Sequence, residues 1–470
     1  MSLWATGCLT SAGSTPISRL SKAIDERFWV RQPVLFGLCC PVYACQTGLL
    51  MTPTILILLS GLGLLLVGVG LLGTLLGMRA TLAQFSNIDI GFIMGGYYAG
   101  YIIGTLVVPR VIRNVGHIRS FATFAAVGAA TSLAFGLLVH PWVWLVLRVF
   151  NGLCVVGLYM VVESWLNEQS DGSARGRIFS LYMMSTLVAL GLGQMLLLAG
   201  DTMELTLFAL AAILISLGVV PVAVTRVHEP RIENEVTARF TELLRATPFG
   251  FIGALSAGLV NGAFWGMTPV FGQRLALGDG QIAMLMSATI FGGAILQWPI
   301  GHISDRLDRR LVLVLTSLCT AVVAGVTALI VIRNYPGLTV SAFLHGGLMF
   351  SLYGISVAYS YDHLKPGQAL EATRSLLLIY GVGALCGPLL VGIAMDLIGP
   401  VGLPVVSATT TGTLALFGLY RMSRRSAPPV EEQTEFVPLV RTTPVVLEMH
   451  PDVDENLEPA SETELDIGQR

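Results

Sequence analysis

The sequence contains few charged residues. Asp, Glu, Lys and Arg make up 12% of its 470 residues, whereas soluble chains contain about 25%, and only Lys22 and Lys365 are lysine. A folded surface facing water needs charged side chains, so this composition excludes a soluble enzyme, a fibrous protein and a disordered regulator. No basic stripe could neutralise phosphates, which argues against nucleic acid as a partner.

The chain also lacks the short motifs of several enzyme classes. It contains no phosphate loop ending in Gly-Lys-Ser/Thr, no H-E-x-x-H and no G-x-S-x-G, so ATP-driven pumping and two common kinds of hydrolase are excluded. Of the seven cysteines, Cys154, Cys319 and Cys386 lie in apolar runs, where cysteine behaves as a small hydrophobic residue. We therefore predict no enzyme activity, no catalytic residue, no metal site and no cofactor.

Long apolar runs are abundant. Hydrophobic residues make up 54% of the chain, and a helix that spans a bilayer needs about 20 of them in succession. Twelve stretches meet this requirement: 54–77, 89–109, 118–139, 141–165, 177–199, 203–225, 248–271, 282–303, 311–332, 336–361, 372–395 and 400–421. They are continuously apolar rather than alternating, which argues against a barrel. We predict an all-α integral membrane protein with twelve transmembrane helices in the lipid bilayer.

The basic residues favour one orientation. If the N-terminus is cytoplasmic, the predicted cytoplasmic loops carry fourteen Arg and Lys residues, and the opposite loops carry only Arg79, Arg274 and Arg333. Because cytoplasmic loops are enriched in Lys and Arg, both termini are predicted to be cytoplasmic.

Three segments lie outside the predicted helical halves. Residues 1–50 form an N-terminal extension that we expect to be dispensable or to belong to an over-long gene model, because Met51 begins an apolar run that resembles a natural start. Residues 226–247 form a polar cytoplasmic linker, and residues 422–470 form an acidic tail with eleven Asp and Glu and six prolines. This composition is typical of disorder.

The two halves, 51–225 and 248–421, repeat each other. Gly104 and Gly301 open related loops 197 positions apart. Glu163 precedes Arg175 by 12 residues, Asp362 precedes Arg374 by 12 residues, and the two pairs are offset by 199. Parallel repeats of this kind occur in transporters in which one half rocks against the other.

Several strings carry a family resemblance. The segment "GHISDRLDRR" (301–310) resembles the loop signature of the major facilitator superfamily, with Asp308 in place of the usual second Gly. The segment "LRVFNGLCVVG" (147–157) resembles its fourth-helix motif. "LLGTLLGMRATL", "PRVIRNVGHIRSFA" and "YMVVESWLNE" are similar to the YcaD-like branch of that superfamily, over residues 51–421. The resemblance implies two six-helix bundles and a secondary transporter of the cytoplasmic (inner) membrane.

The resemblance also implies a cytoplasmic gate, in which Arg306, Arg309 and Arg310 pair with carboxylates of the other half. The general enrichment of cytoplasmic loops in Lys and Arg could by itself explain these arginines, but it does not explain Asp305. Glu163 with Arg175, and Asp362 with Arg374, are candidate latches, and the alternative is a structural ion pair near each helix end. The predicted gate residues are Gly104, Arg113, Gly116, Arg119, Glu163, Arg175, Gly301, Asp305, Arg306, Arg309, Arg310, Asp362 and Arg374.

Arg148 lies about a third of the way into the fourth helix, in an apolar run. A cation at that depth usually faces a bundle interior or a wet cavity, although it could instead reach the outer interface. In the superfamily, helices 1, 4, 7 and 10 line the cavity. The predicted substrate or proton pathway comprises Arg148, Asn151, Tyr159, Asn261, Trp265, His345, Tyr353 and Tyr380. Neighbouring helices offer further contributors: Tyr97, Tyr98, Tyr101, Gln194, Gln297 and Trp298.

The sequence leaves two functions open. The first is a monomeric secondary transporter that moves a small molecule by alternating access, coupled to protons, with efflux of an amphipathic compound as the expected case, because the predicted pathway is mostly apolar. The second is a membrane sensor or adaptor that uses a transporter scaffold without transport.

Overall fold

The computed structural model describes residues 53–168, 175–224, 240–332, 337–364 and 369–424. These residues form helices joined by short turns, and no strand occurs among them. The predicted extension 1–50, most of the predicted linker and nearly all of the predicted tail lie outside the described residues.

Five long helices and a broken sixth make up the N-terminal half. A 3₁₀ turn, Leu196–Ala199, follows the fifth helix, and a short helix, α7, continues the sixth. The helices are α1 (Pro53–Leu82), α2 (Asn87–Val115), α3 (His117–Leu137), α4 (Pro141–Glu168), α5 (Arg175–Met195), α6 (Thr206–Leu217) and α7 (Val219–Val224).

A short helix within the predicted linker precedes the six long helices of the C-terminal half. They are α8 (Phe240–Ala246), α9 (Pro248–Arg274), α10 (Asp279–Ser304), α11 (Arg309–Ile332), α12 (Leu338–Tyr361), α13 (Ala369–Ile398) and α14 (Gly402–Met422). Pro248 starts α9 at a position where its missing N–H costs nothing.

The described helices give eleven candidate membrane spans by length and composition. The last of these, Ala372–Met422, contains both α13 and α14, which a 3₁₀ turn at Gly399–Val401 separates. Twelve helical crossings result, which confirms the sequence prediction. We call the two ends of the helix bundle the Arg274 end, where α9 ends, and the Asp305 end, where α10 ends.

The two halves share one packing plan. In the N-terminal half, α2 packs on α4, α1 on α5 and α3 on α6; in the C-terminal half, α10 packs on α12, α9 on α13 and α11 on α14. Between the halves, α2 contacts α13 and α10 contacts α5, which is the same contact repeated with the halves exchanged. The structure therefore consists of two pseudo-symmetric six-helix bundles.

Glycines bring the main helix pairs into backbone contact. A Cβ atom added to Gly100 would lie 1.9 Å from the carbonyl oxygen of Val149, and one added to Gly152 would lie 2.0 Å from that of Tyr97. The pair α10 and α12 repeats the arrangement at Gly292 and Gly346, each 1.9 Å from a carbonyl oxygen of the facing helix. In a lipid bilayer the hydrophobic effect contributes little to helix association, so helices associate through close packing. Small residues at the interface allow that close packing.

Candidate functional site

Arg148 lies inside the protein rather than at the lipid boundary. Only 7% of its surface is exposed, and its guanidinium carbon lies 4.8 Å from the centroid of the Tyr97 ring. Nη1 donates to Oδ1 of Asn151 at 3.2 Å, and Nη2 lies 3.8 Å from Sδ of Met94. A cation over an aromatic face is attracted by the ring's quadrupole, more strongly when both groups are away from water.

The glycine contacts explain how this cluster forms. Gly152 of α4 has no side chain, so the α4 backbone lies close to the carbonyl of Tyr97 in α2. Arg148 lies one turn before Gly152 on α4, where the ring of Tyr97 reaches it. Tyr98 packs edge-on against Tyr97 at 5.2 Å. Nδ2 of Asn151 and the Tyr98 hydroxyl are buried and have no hydrogen-bond partner among the described residues. Buried polar groups of this kind are usually satisfied by a partner, so the cluster has capacity for a ligand or water.

Met94 connects the Arg148 cluster to the other half. A Cβ atom added to Gly266 of α9 would lie 2.8 Å from Cβ of Met94, and Met94 also contacts Arg148. The cluster therefore lies at the interface between the two halves, one side chain away from α9.

Three of the five predicted pathway residues of the C-terminal half pack against other aromatic rings. Trp265 packs against Phe264 at 4.9 Å and against Phe350 at 6.2 Å, and the rings of Tyr353 and Tyr380 lie 4.7 Å apart. Asn261 donates from Nδ2 to the carbonyl of Ala257 in its own helix, at 2.9 Å. Its Oδ1 is buried and accepts no hydrogen bond within the described part of the chain.

Two other predicted pathway residues lie in different surroundings. Tyr159 is buried in α4, two turns beyond Asn151 toward the Asp305 end. His345 bonds through Nε2 to the Ser407 hydroxyl, at 2.7 Å, and lines a cavity whose walls all belong to the C-terminal half. The structure therefore separates His345 from the Arg148 cluster.

Three predicted gate residues meet at the Asp305 end. Nη1 of Arg309 donates to Oδ1 of Asp362 at 2.7 Å, and Nη2 donates to Oδ1 of Asp305 at 2.9 Å. Arg309 is 1% exposed, so it is a buried cation between two carboxylates. All three residues belong to the C-terminal half. These contacts lie within one half, and the predicted pairing of Arg306, Arg309 and Arg310 with carboxylates of the other half, which would lock the outward-facing state, stays a prediction.

Glu163 is buried more deeply than its place near a helix end suggested. It is fully buried, and its Oε1 accepts a hydrogen bond of 2.6 Å from the Tyr182 hydroxyl of α5. The side chain of its predicted partner, Arg175, lies outside the described side chains. Tyr182, which the sequence reasoning missed, therefore joins α4 to α5 at this carboxyl group.

The remaining gate residues are spread around the Asp305 end. Gly104 of α2 packs against α4, and Gly116 adopts a φ of 91° between α2 and α3, in a region that favours glycine. Arg310 pairs with Asp308 at 3.0 Å. Arg113, Arg119 and Arg306 are exposed, Gly301 is buried in the last turn of α10, and Arg374 is partly buried in α13.

The structure shows a polar bridge at the Arg274 end that the sequence analysis did not predict. Nε of Arg274 donates to Oδ1 of Asn87 at 3.1 Å, and Nδ2 of Asn87 donates to Oδ1 of Asp396 at 2.6 Å. Arg274 also donates to the carbonyl of Phe85 at 3.3 Å. Asn87 and Phe85 belong to the N-terminal half, and Arg274 and Asp396 to the C-terminal half. No sequence motif marks these residues.

Further contacts between the halves lie toward the same end as this bridge. A Cβ atom on Gly91 would lie 2.8 Å from the carbonyl oxygen of Pro388, and one on Gly77 would lie 3.0 Å from Cβ of Pro269. Between α10 and α5, the Ser287 hydroxyl donates to the carbonyl of Gly191 at 3.3 Å. Each of these residues lies in the part of its helix nearer the Arg274 end.

Comparisons with known proteins match the whole membrane region. The model of the Major Facilitator Superfamily matches residues 58–369 and 250–450. An uncharacterised MFS-type transporter, YcaD, from Escherichia fergusonii is 28% identical over 381 residues, which cover 81% of this chain and 98% of YcaD. YcaD of Escherichia coli K12 is 29% identical over 339 residues, or 72% of this chain and 87% of YcaD.

Two solved structures share the fold at low sequence identity. The nucleoside transporter NupG gives a TM-score of 0.64 at 15% identity, with 80% of this chain and 100% of NupG covered. A bacterial homologue of the human lysosomal transporter Spinster, inward-facing and occupied, gives 0.63 at 13% identity, with 81% and 98% covered. The chain is therefore a multi-pass membrane transporter of the major facilitator superfamily, similar to YcaD, and acts in transport rather than catalysis.

Proposed function

We propose that the chain is a secondary transporter that moves a small amphipathic solute by alternating access and binds it at the Arg148 cluster. The observation that carries the proposal is the position of Arg148, a buried cation held over Tyr97 and in contact with Met94, which packs against α9 of the other half. A solute at that interface would touch both halves, as alternating access requires.

The contacts at the Arg274 end support a state that is closed on one side. Each contact between the halves described above lies at or near that end. Because the predicted loops at the Asp305 end carry most of the basic residues, we assign that end to the cytoplasm and the protein to the cytoplasmic membrane. On this assignment the state is closed to the outside, and Arg148 lies beside Met94, one of the residues in the closing contacts.

The chemistry of the cluster favours an amphipathic solute. Arg148 and Asn151 offer hydrogen-bond donors, whereas Tyr97, Tyr98 and Met94 offer aromatic and apolar surface. A site of this composition would bind an apolar body and orient one polar or anionic group. Coupling to protons would use the carboxyl group of Glu163, which is buried and accepts a hydrogen bond from the neutral Tyr182 hydroxyl, because ionisable groups buried within membrane helices are the usual carriers of protons.

Transport by the purified protein in liposomes tests this proposal. Liposomes with and without the protein receive a mixture of isotope-labelled lipophilic cations, organic acids, sugars, amino acids and nucleosides, with an imposed pH gradient and a clamped membrane potential. Mass spectrometry measures each solute inside. We expect protein-dependent accumulation of at least one amphipathic solute, which collapses with the pH gradient.

Variants distinguish binding at Arg148 from a general loss of protein. We expect Arg148→Ala to reduce the rate at least tenfold. Arg424→Ala is a matched control, because Arg424 lies over the Tyr420 ring at 5.6 Å but is exposed, and we expect it to retain the rate. If no solute in any class accumulates, the sensor alternative replaces transport. If accumulation ignores Arg148→Ala, the solute binds elsewhere.

A further inference from the structure

One face of α10 carries an indole, an imidazole and a guanidinium group in successive turns. Trp298, His302 and Arg306 are all exposed and follow one another at intervals of four residues. The helical hydrogen bonds continue past the last residue of α10, because the N–H groups of Asp305 and Leu307 donate to the carbonyls four residues earlier, at 3.0 and 3.1 Å. Arg306 therefore stays on the same face as His302.

Trp298 and His302 form a parallel stack on this face. Their ring centroids lie 5.8 Å apart, and the ring planes differ by 3°. Trp298 is 76% exposed and precedes the last residue of α10, Ser304, by about 9 Å along the helix axis. Tryptophan is enriched where membrane lipid meets water. The stack therefore extends from the edge of the apolar layer toward the lipid headgroups at the Asp305 end.

Arg306 carries a charge that no described side chain neutralises. Its guanidinium group makes no ion pair or hydrogen bond within the described part of the chain. The two nearest carboxylates in the sequence already bind other arginines: Asp305 accepts from Arg309 at 2.9 Å, and Asp308 accepts from Arg310 at 3.0 Å. Arg306 is therefore available to an anion from outside the chain.

An anionic phospholipid has the groups that this face requires, in the same order. A guanidinium group binds phosphate through two parallel N–H donors, and an imidazole offers one N–H donor in either neutral tautomer. The exposed indole of Trp298 offers apolar surface to an acyl chain, and Ile295, 58% exposed on the same helix, extends that surface. A water-soluble anion would use the charge of Arg306 alone and leave the indole without a role.

We propose that this face of α10 binds one anionic phospholipid of the phosphatidylglycerol type, from the leaflet at the Asp305 end. The phosphate bonds to Arg306 and His302, and one acyl chain lies along Trp298 and Ile295. None of these residues belongs to the Arg148 cluster, so the lipid is not the transported solute. Its binding can be measured without any transport assay.

Native mass spectrometry of the full chain tests the proposal. Protein purified in detergent and stripped of lipid is titrated with dioleoyl phosphatidylglycerol or dioleoyl phosphatidylcholine, and the intensities of the adducts give the Kd of each lipid. We expect phosphatidylglycerol to bind about fivefold more tightly, because the choline group of the other lipid cancels the charge of its phosphate. Equal Kd values for the two lipids overturn the proposal.

Two arginine variants locate the site. Arg306→Gln removes the cation, and we expect it to raise the Kd of phosphatidylglycerol about tenfold. Arg424→Gln is the matched control, because Arg424 is also an exposed arginine at the Asp305 end but lies over the Tyr420 ring of α14, at 5.6 Å. We expect it to change the Kd less than twofold. Equal effects of the two variants would show general attraction of charge and would overturn a site on α10.

Fluorescence tests the place of the acyl chain. Nanodiscs of phosphatidylcholine receive phosphatidylglycerol with brominated acyl chains, which quench a tryptophan that they contact. We expect more quenching than with brominated phosphatidylcholine, and we expect either Trp298→Phe or Arg306→Gln to remove the difference. A difference that persists in both variants overturns the proposal.

The headgroup alone distinguishes a lipid from a free phosphate. Glycerophosphoglycerol has the phosphate of phosphatidylglycerol but no acyl chains. We expect it to leave the bound lipid in place at the concentration at which phosphatidylglycerol itself saturates the site. Displacement at that concentration would assign the site to a water-soluble phosphate and overturn the assignment to a lipid.

Discussion

Arg274 and Asn87 join the two halves of the transporter across 187 positions of sequence, through a hydrogen bond of 3.1 Å. Asn87 acts as the connecting residue, because its amide group accepts from Arg274 and donates to Asp396 at 2.6 Å. Both partners lie in the C-terminal half, so one asparagine of the N-terminal half holds two helix ends, those of α9 and α13.

Loss of this bridge should loosen the Arg274 end. We expect Asn87→Ala to increase hydrogen–deuterium exchange several-fold in peptides from the first turns of α2 and the last turns of α13, because their contact then depends on apolar packing alone. Gln281→Ala is the control: Gln281 accepts from the Gly278 N–H at the same end but within one half. Equal exchange in the two variants would contradict a role for Asn87 in closure.

Removal of the Asp362 carboxylate should destabilise the C-terminal half. Arg309 would remain a buried cation that keeps Asp305 but loses Asp362. Breaking a buried ion pair costs about 3–5 kcal/mol when the remaining charge has no other partner, so we expect a cost below that range. We expect Asp362→Ala to lower the thermal unfolding midpoint of the detergent-purified protein by a measurable amount. Asp308→Ala, which breaks the more exposed pair with Arg310, should lower it less. The reverse order would contradict the structural weight given to Arg309.

Gly152 should tolerate no side chain. A methyl group there would lie 2.0 Å from the Tyr97 carbonyl oxygen, so we expect Gly152→Ala to force α2 and α4 apart and to reduce the yield of folded protein severely. Gly325→Ala is the matched control, since no atom lies within 4 Å of its Cβ position and alanine is the better helix former by about 1 kcal/mol. Fluorescence size-exclusion chromatography compares them; similar elution would argue against backbone contact.

The ring of Tyr97 should matter more than its hydroxyl group for the position of Arg148. Tyr97→Leu removes the aromatic face 4.8 Å from the guanidinium carbon, a contact worth about 0.5–2 kcal/mol, whereas Tyr97→Phe retains it. We expect the unfolding midpoint to fall further in Tyr97→Leu. The same ranking should hold for the transport rate of any solute that the Arg148→Ala variant fails to carry. Equal loss in the two variants would assign the effect to the hydroxyl group.

The sequence predicted the helices well because lipid imposes a length and a composition on every span. The motif at 301–310 also drew attention to Asp305 and Arg309, which do meet in the structure. Arg148 was marked by its charge alone, since a cation in an apolar run needs a partner. Its aromatic partner, Tyr97, was only one of several tyrosines that the sequence offered.

The remaining features depend on contacts between helices that are distant in sequence. Nothing in the chain around Asn87, Arg274 or Asp396 indicates that they meet, because each has an ordinary role as a polar residue at a helix end. Trp298 shows the opposite case: the sequence offered it as a contributor to the pathway, and the structure places it 76% exposed on the outside of α10. Gln194, offered likewise, instead joins α5 to α1 by accepting from Thr74 at 2.5 Å.

The backbone contacts at Gly100, Gly152, Gly292 and Gly346 affect how variation in this chain should be interpreted. At these four positions any larger residue meets a carbonyl oxygen, so a complete mutational scan would find them as intolerant as a binding site. Their intolerance would carry no information about the solute. Substitution of a residue that recognises the solute should instead leave folding intact and change which compound is carried. A scan that measures both the yield of folded protein and transport would therefore separate the two groups.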